Sequence, residues 1–421
     1  MKVLVVGGGG REHTLVWKIA QSPRVEKIYC APGNGGISQQ AECVPIKDTD
    51  IDGIVEFSTT NKIDLVVVGP DDPLAAGMVD ALEAAGIRAF GPNKNAAIIE
   101  YSKAFSKNFM KKYGIPTARY EAFDNYDHAI EYLKHQEYPL YVKADGLARG
   151  KGAIFAQGFD VAASAVNDIM VRKVFGSSGD KVVIEECLTG VEVTVLAFTD
   201  GKTIVPMVGS QDHKTVFDND VGLNTGGMGT FAPSKLYTPE VADYCMKNIY
   251  EPTIAALNKE GRKFKGVLYF GLILTGDGVK VIEYNSRFGD PETQVVLPLL
   301  KNDLVDIFEA VIDERLDEIK VEWENKAAVC VVAASGGYPE KFEKGYEIKG
   351  IEDLANETDI MVFHAGTASK DGKYYTNGGR VLGVTALGPD MAQAIDRAYK
   401  GIGKISFTDM HYRKDIGKKG L

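Results

Sequence analysis

Cysteine is scarce and unpatterned in this 421-residue chain: Cys30, Cys43, Cys187, Cys245 and Cys330 are scattered, odd in number and lack any Cys-x-x-Cys pair. That usage excludes a disulfide framework and predicts free thiols in a reducing cytoplasm. The six histidines show no zinc spacing, and His128 and His135 share a helix-like stretch without partner ligands, which predicts a solvated face. No apolar run is long enough to span a membrane, and Val3 to Val6 has neither the length nor the cleavage pattern of a secretory signal. Positive charge is in deficit, with 48 Lys and Arg against 58 Asp and Glu. The net charge of -10 argues against a nucleic-acid or anionic-membrane surface, so an anionic ligand must meet its cations locally.

What is present reads as soluble and globular: 45% hydrophobic and 25% charged residues, in a chain long enough for two to four domains. Over the first hundred residues, short apolar runs (Val3 to Val6, Lys27 to Cys30, Leu65 to Val68, Ile87 to Phe90) alternate with amphipathic ones, predicting a parallel sheet with crossover helices. Three of these strands run into turns at Gly7 to Gly10, Ala31 to Gly36 and Gly69 to Pro73, which should share the ligand-binding edge. Tyr101 to Glu121 reads as helix and then connection. Strands at Pro139 to Lys143 and Ala153 to Ala156 flank a glycine-rich flap, followed by a helix near Asp160 to Lys173 and a strand at Lys181 to Glu185. Strands and helices alternate from Val191 to Leu300, with a hairpin turn at Thr275 to Gly278. The pattern restarts at Ala328 to Ala334 and closes with Arg380 to Ala386, a helix near Asp390 to Lys400 and a basic tail. There is no tandem repeat and no low-complexity linker.

The densest chemistry lies in Val281 to Gln294, VIEYNSRFGDPETQ. Glu283 and Asn285 stand two apart, which on a strand puts both on one face, roughly 7 Å apart, within reach of one hard cation. Arg287 continues that face, as a site neutralising polyphosphate and a carboxylate would require. A strand-end ion-pair cluster is the plain alternative. Two phosphate motifs are excluded: the first glycine run puts Glu12 or His13 where G-x-G-x-x-G needs its last glycine, and Gly146 to Gly152 is one residue short of a P-loop and lacks its Ser/Thr. A flexible flap remains, with Gly146, Gly150 and Gly152 letting backbone N–H groups approach phosphate while Lys151 adds charge. Lys143 ends the preceding strand. Glu185, Glu186, Cys187 and Leu188 end the next as an adenine-gripping hinge would, and Glu192 is positioned for ribose hydroxyls.

Together with Gly9-Gly10-Arg11-Glu12-His13, Ala31-Pro32-Gly33-Asn34, Gln211-Asp212-His213-Lys214, Asn224-Thr225-Gly226-Gly227-Met228-Gly229, Arg287 to Gln294 and Thr376-Asn377-Gly378-Gly379-Arg380, these segments resemble, nearly end to end, the glycinamide ribonucleotide synthetases of the ATP-grasp superfamily. The resemblance implies an α/β architecture: an amino-terminal Rossmann-like substrate domain (1–103), a linker and ATP lid (104–190), a central ATP-grasp domain (191–325) and a small α/β carboxy-terminal domain (326–421). It also implies an ATP-dependent ligase of de novo purine biosynthesis that joins glycine to 5-phosphoribosylamine through glycyl phosphate, using Mg2+ or Mn2+, in a cytoplasmic monomer. Departures are small: Asp71 stands where the family usually has Glu, Arg149 replaces a small flap residue, Ser286 replaces a frequent cysteine, and Phe270-Gly271-Leu272 supplies no further metal-binding acid.

In that framework Glu283 and Asn285 are expected to hold the metal, and Lys103, Lys143, Gly146, Gly150, Lys151, Gly152, Glu185, Glu186, Leu188 and Glu192 the nucleotide. Catalysis is assigned to Arg287, Lys151, Asp212 and Asp290, the aspartates holding the ammonium of glycine. For Asp290, before Pro291, a helix N-cap is an equal alternative. Gly9, Gly10, Arg11, Gly33, Asn34, Gly69, Pro70 and Asp71 are expected to take the ribose phosphate, since a helix starting near Arg11 would aim free N–H groups at it. A tight strand-to-helix turn explains that glycine run equally well. Substrate contacts are further expected from Lys214, Gly379, Arg380 and a mobile loop, Asn224, Thr225, Gly226, Gly227 and Met228, that excludes water from the acyl phosphate. The tail pair Arg413-Lys414 either adds charge or is simply solvated. Competing functions are another ATP-grasp member, such as a purine-pathway or biotin-dependent carboxylase, and a nucleotide-binding regulator without catalysis.

Overall fold

Continuous apolar runs bury on both faces, and here they form a five-stranded parallel sheet. The computed structural model describes residues 1–147 and 152–421. Strands β1 (Lys2–Gly7), β2 (Lys27–Pro32), β3 (Glu42–Cys43), β4 (Leu65–Val68) and β5 (Ala89–Phe90) lie in the order β3-β2-β1-β4-β5. Helices α1 (Gly10–Ile19), α2 (Ile51–Asn61), α3 (Asp71–Ala76) and α4 (Met78–Ala84) follow their strands. The predicted helix after Tyr101 is interrupted: α5 (Lys94–Tyr101) stops at Ser102, whose extended backbone (φ -124°, ψ 106°) lets its hydroxyl cap the Phe105 N–H at 3.1 Å and start α6 (Lys103–Tyr113).

An antiparallel lid sheet, in the order β6-β9-β7-β8, comprises β6 (Tyr120–Phe123), β7 (Leu140–Ala144), β8 (Ala153–Ala156) and β9 (Val182–Glu186), covered by α7 (Tyr126–Leu133) and α8 (Phe159–Val166). The central sheet, β11-β10-β16-β17, is built from β10 (Val191–Thr199), β11 (Ile204–Pro206), β16 (Gly266–Thr275) and β17 (Gly278–Asn285). Helices α9 (Pro239–Cys245) and α10 (Glu251–Lys259) cover one of its faces. Its hairpin turns at Gly276-Asp277 with Gly278 at φ +113°, a backbone state that favours glycine.

The last sheet differs from a simple carboxy-terminal unit. Strands β12 (Gln211–Asp212) and β15 (Gly229–Ala232), from either side of the hairpin β13 (Thr215–Phe217) and β14 (Val221–Asn224), join β18 (Ala327–Ala334), β23 (Arg380–Gly388) and β20 (Ile360–His364). Helix α13 (Met391–Ile402) packs on it, and β19 (Glu347–Ile348), β21 (Thr367–Lys370) and β22 (Lys373–Thr376) form a small flanking sheet. Two helices in between, α11 (Thr293–Val296) and α12 (Leu304–Ile312), close the molecule: Phe308 of α12 stacks on Phe90 at 3.9 Å, so the first sheet and the central sheet share one core. That shared core sets the carboxyl ends of β1, β2 and β4 beside the end of β17. Among the described residues no helix is long and apolar enough to cross a membrane.

Candidate active site

Strand β17 carries its polar residues to one side because of a bulge. Gly271 pairs with Glu283 and Leu272 with Val281, which leaves Ile282 extra. Val279, Val281 and Tyr284 consequently all enter the core under α9 and α10, while Glu283 and Asn285 face away from it. Arg287 joins them as its spacing predicts, its Nη2 donating to Asn285 Oδ1 at 3.1 Å. A methyl group on Gly271 would lie 3.2 Å from Glu283 Cγ, so a side chain there would crowd Glu283.

Cations converge on Glu283. Burial alone would push its carboxyl up, but Lys214, Lys143, Lys103 and Arg287 together hold it below its ordinary value, and no described residue hydrogen-bonds it. Lys143 is ion-paired with Glu185, whose other oxygen takes Lys107 Nζ at 2.6 Å. Lys107 sits one helical turn after Lys103 on α6, a spacing that could have revealed it from the sequence. Lys214 pairs with Glu192 at 2.7 Å. Glu186 turns away from this cluster: its carboxylate accepts from Arg119 N and Nε at 2.8 and 2.7 Å. Leu188 is half-buried just past β9. The flap is anchored at both ends, since Asp145 accepts from Ala104 N at the start of α6, Lys103 Nζ donates to Gly146 O at 3.4 Å and Ala144 N donates to Gly152 O at 2.9 Å. Gly150 and Lys151 lie outside the described residues.

Beside this cationic cluster stand two carboxylates that repel each other. Burial, then Glu292, pushes Asp212 well above the usual carboxylate range, and Glu292 is likewise raised by burial. Asp212 Oδ1 is buried without a hydrogen-bond partner among the described residues. Glu292 accepts from Tyr269 Oη at 3.1 Å, and Thr194 Oγ1 lies 3.1 Å from that hydroxyl. Neither Tyr269 nor Glu292 was legible as part of the site.

Asp290 is not a helix cap, because the cap position of α11 is Glu292. Its carboxylate instead accepts from Arg11 N at 3.1 Å and Gln294 Nε2 at 2.9 Å and pairs with Arg380 at 3.3 Å. Arg380 Nη1 donates in turn to Gly226 O at 2.7 Å, while Gly226 N donates to Tyr338 Oη at 3.0 Å, so both polar groups flanking this glycine in the Asn224–Gly229 loop are held from the carboxy-terminal region. Gly379 packs against the Tyr338 ring. A methyl group on Gly227 would lie 2.9 Å from Asp212 Oδ1, and Thr225 ties its hydroxyl to Lys214 O at 2.8 Å. Asn224 is exposed, whereas Met228 is fully buried in the protein and presents no side chain to a substrate.

The amino-terminal edge departs most from expectation. The three glycine turns do converge, with Gly33 N donating to Gly7 O at 3.1 Å and Gly69 N to Val6 O at 3.2 Å. Yet the start of α1 is already occupied by carboxylates: Glu12 accepts from Gly9 N at 2.7 Å and Asp290 from Arg11 N, leaving few free N–H groups for phosphate. Gly10 is buried, and a methyl group there would lie 3.7 Å from Asp290 Oδ1. Asn34 is fully engaged, accepting from Gly36 N and Ile37 N and donating to Gly8 O and His364 O. Arg11 pairs with Glu12 at 2.5 Å, and Asp71, on the first turn of α3 after Pro70, faces Arg287 and Arg11, which hold its carboxyl down against burial. Glu100, unnoticed in the sequence, pairs with Arg287 at 3.1 Å and accepts from Ser286 N and Oγ at 2.7 Å. The tail residue Arg413 is fully buried rather than solvated, bound to Asp415, Asp220 and Thr215.

Glu283, ionised and without a hydrogen-bond partner among the described residues, and the amide oxygen of Asn285 are the oxygen donors a hard divalent cation takes. Among the described residues no cluster of three His, Cys, Asp or Glu could cage a metal, which fits an ion completed by phosphate and water rather than by protein. The arrangement can therefore neutralise a polyphosphate beside a pocket suited to a small cation.

The sequence matches the phosphoribosylglycinamide synthetase N domain over residues 1–100, its ATP-grasp (A) domain over 101–293 and its C domain over 328–419. The chain is 51% identical over 416 residues to the phosphoribosylamine–glycine ligase of Caldanaerobacter subterraneus subsp. tengcongensis, covering 99% of both chains. It is 47% identical over 418 residues to that of Clostridium acetobutylicum, covering 99% of this chain and all of the relative. The crystal structure of phosphoribosylamine–glycine ligase from Thermotoga maritima superposes with a TM-score of 0.85 at 32% identity, over 99% of this chain and all of the other. A biotin carboxylase from Campylobacter jejuni shares the fold at 13% identity, with a TM-score of 0.75 over 99% of this chain and 94% of the other.

Proposed function

The chain belongs to the phosphoribosylglycinamide synthetase family, and from that premise we propose that it is an ATP-dependent ligase joining glycine to 5-phosphoribosylamine, giving glycinamide ribonucleotide, ADP and phosphate in purine biosynthesis. Glycine's carboxylate attacks the γ-phosphorus and ADP leaves. The amine of phosphoribosylamine then attacks the carbonyl carbon of glycyl phosphate, phosphate departs and the nitrogen sheds a proton. No nucleophilic side chain is needed, since such a transfer depends on positioning and charge neutralisation.

The observation that carries this reading is the set of four cationic side chains around Glu283. Lys143, Lys103, Lys214 and Arg287 neutralise transferring phosphate, with Lys151 of the flap added to them. Glu283 and Asn285 would hold Mg2+ or Mn2+, which when bound would shield phosphate charge. Asp212 takes the ammonium of glycine, and Glu292 completes that pocket: burial raises both carboxylates, Glu292 raises Asp212 further, and a cation between them relieves it. Asp290 acts differently from the sequence expectation, by joining α1, Arg380 and the Gly226 loop around the site. Leu188 and Glu192 face the base and ribose of ATP, and Gly9, Gly33, Gly69 and Arg11 border the ribose phosphate. Division into units at 1–103, 104–190, 191–325 and 326–421, a monomeric state and a cytoplasmic location belong to the same proposal. Biotin-dependent carboxylation draws support from fold likeness alone, whereas the relatives from Caldanaerobacter subterraneus and Clostridium acetobutylicum, at 51% and 47% identity, are phosphoribosylamine–glycine ligases.

The test is ADP release with ATP, glycine and freshly made phosphoribosylamine, each omitted in turn. Release requiring glycine is expected; release requiring bicarbonate instead would overturn the assignment.

A further inference from the structure

Between α1 and the small sheet of β19, β21 and β22 lies a cavity of about 620 Å³ that the ligase reaction does not use. Its size falls in the range that encloses small ligands. Aliphatic side chains of its wall are joined by aromatic ones: Trp17 meets Phe363 edge to face at 5.7 Å, and Tyr374 lines the opposite strand. His13 also lines it while only 5% exposed. The His13 ring is neutral near pH 7, because burial and then His364 lower it to about 3. Its Nδ1 accepts the His364 N–H at 2.7 Å, so the proton sits on Nε2, and no described residue accepts it. This N–H belongs to a residue of the cavity wall and can donate to an acceptor atom held there. The lining has no surplus of positive charge: Glu347, Glu352 and Glu357 face Lys349 and Lys373, with Glu347 paired to Lys373 at 3.0 Å and Glu357 to Lys404, outside the lining, at 2.9 Å.

We infer that this cavity is a second ligand site, taking a neutral, flat heteroaromatic base whose ring packs among Trp17, Phe363 and Tyr374 and whose acceptor atom meets His13 Nε2–H. A phosphorylated ligand finds no surplus cation at the rim, so the base or its nucleoside is favoured over the nucleotide. The site is joined to the glycine loop through one residue: His364 N reaches His13, and His364 O accepts from Asn34 Nδ2, which also holds Gly8 O. Occupancy would therefore be felt at the ribose-phosphate edge.

Calorimetry on the full chain with adenine and hypoxanthine, in the presence of saturating ADP to fill the nucleotide site, tests this independently of turnover. A Trp323→Phe background leaves Trp17 as the sole indole, so its fluorescence reports the same event. Saturable binding with quenching is expected, weakened at least tenfold in His13→Phe and in Trp17→Leu, and at least tenfold weaker for AMP. No binding, binding abolished by ADP, or equal affinity in the variants or for AMP would each overturn it. Should His13→Phe lose its circular dichroism, Trp17→Leu and Tyr374→Ala decide.

Discussion

Glu283 owes its reactivity to its neighbours: four cations keep it ionised in a buried place, so neutralising it should remove function without removing fold. Glu283→Gln is expected to lower turnover by roughly 10²–10³-fold, the scale for losing one preorganised charge, with an unchanged circular dichroism spectrum. Near-normal ADP release from this variant would reject the metal assignment. Asp212→Asn is expected to raise the KM for glycine roughly 10- to 100-fold, as for a lost charged hydrogen bond, while the KM for ATP stays put. Because burial and Glu292 hold the Asp212 carboxyl high, it must shed a proton to receive an ammonium. Glycine KM should then fall as pH rises toward that raised value, and the asparagine variant should lose this dependence. Glu283, Asn285 and Arg287 were legible because strand alternation is local. Glu100, Tyr269 and Glu292 were not, because each matters through a partner that only the tertiary fold supplies.

Elements were legible in proportion to their length and periodicity. Strands β1, β4, β8 and β18 follow their apolar runs closely, whereas the two-residue β3 has no pattern to read. The bulge at Ile282 is equally silent in sequence, yet it decides which face Glu283 occupies. The hairpin of β13 and β14 depends on a side chain some two hundred positions away: Arg413 donates to Thr215 and pairs with Asp220 and Asp415 with no exposure of its own. Arg413→Met leaves those acids without their buried cation and is expected to cost about 3 kcal/mol in urea unfolding. Arg413→Lys cannot reproduce the forked contact and should recover only part of that loss. A wild-type midpoint for both would mean that the tail merely rests on the hairpin.

At the scale of the whole molecule, buried carboxylates set the response to acid. Asp290, Glu283, Glu185 and Asp71 are all held below their ordinary values by arginines or lysines, despite burial. Their contribution is present above the unfolded carboxyl range near pH 4 and is lost as pH falls through their depressed folded values. Thermal melts should therefore drop steeply below about pH 4, and Asp290→Asn should lessen that drop; a flat profile would show that these pairs contribute little. Strands β12 and β15 joining the last sheet could not be foreseen, since β18 lies about a hundred positions later. Because β18 flanks β15, and Tyr338 and Arg380 grip both sides of Gly226, the final hundred residues are no appendage. A chain cut ahead of Ala327 would keep its lid and nucleotide cradle but leave the activated amino acid under an unmoored roof, consuming ATP while losing its acyl group to bulk solvent.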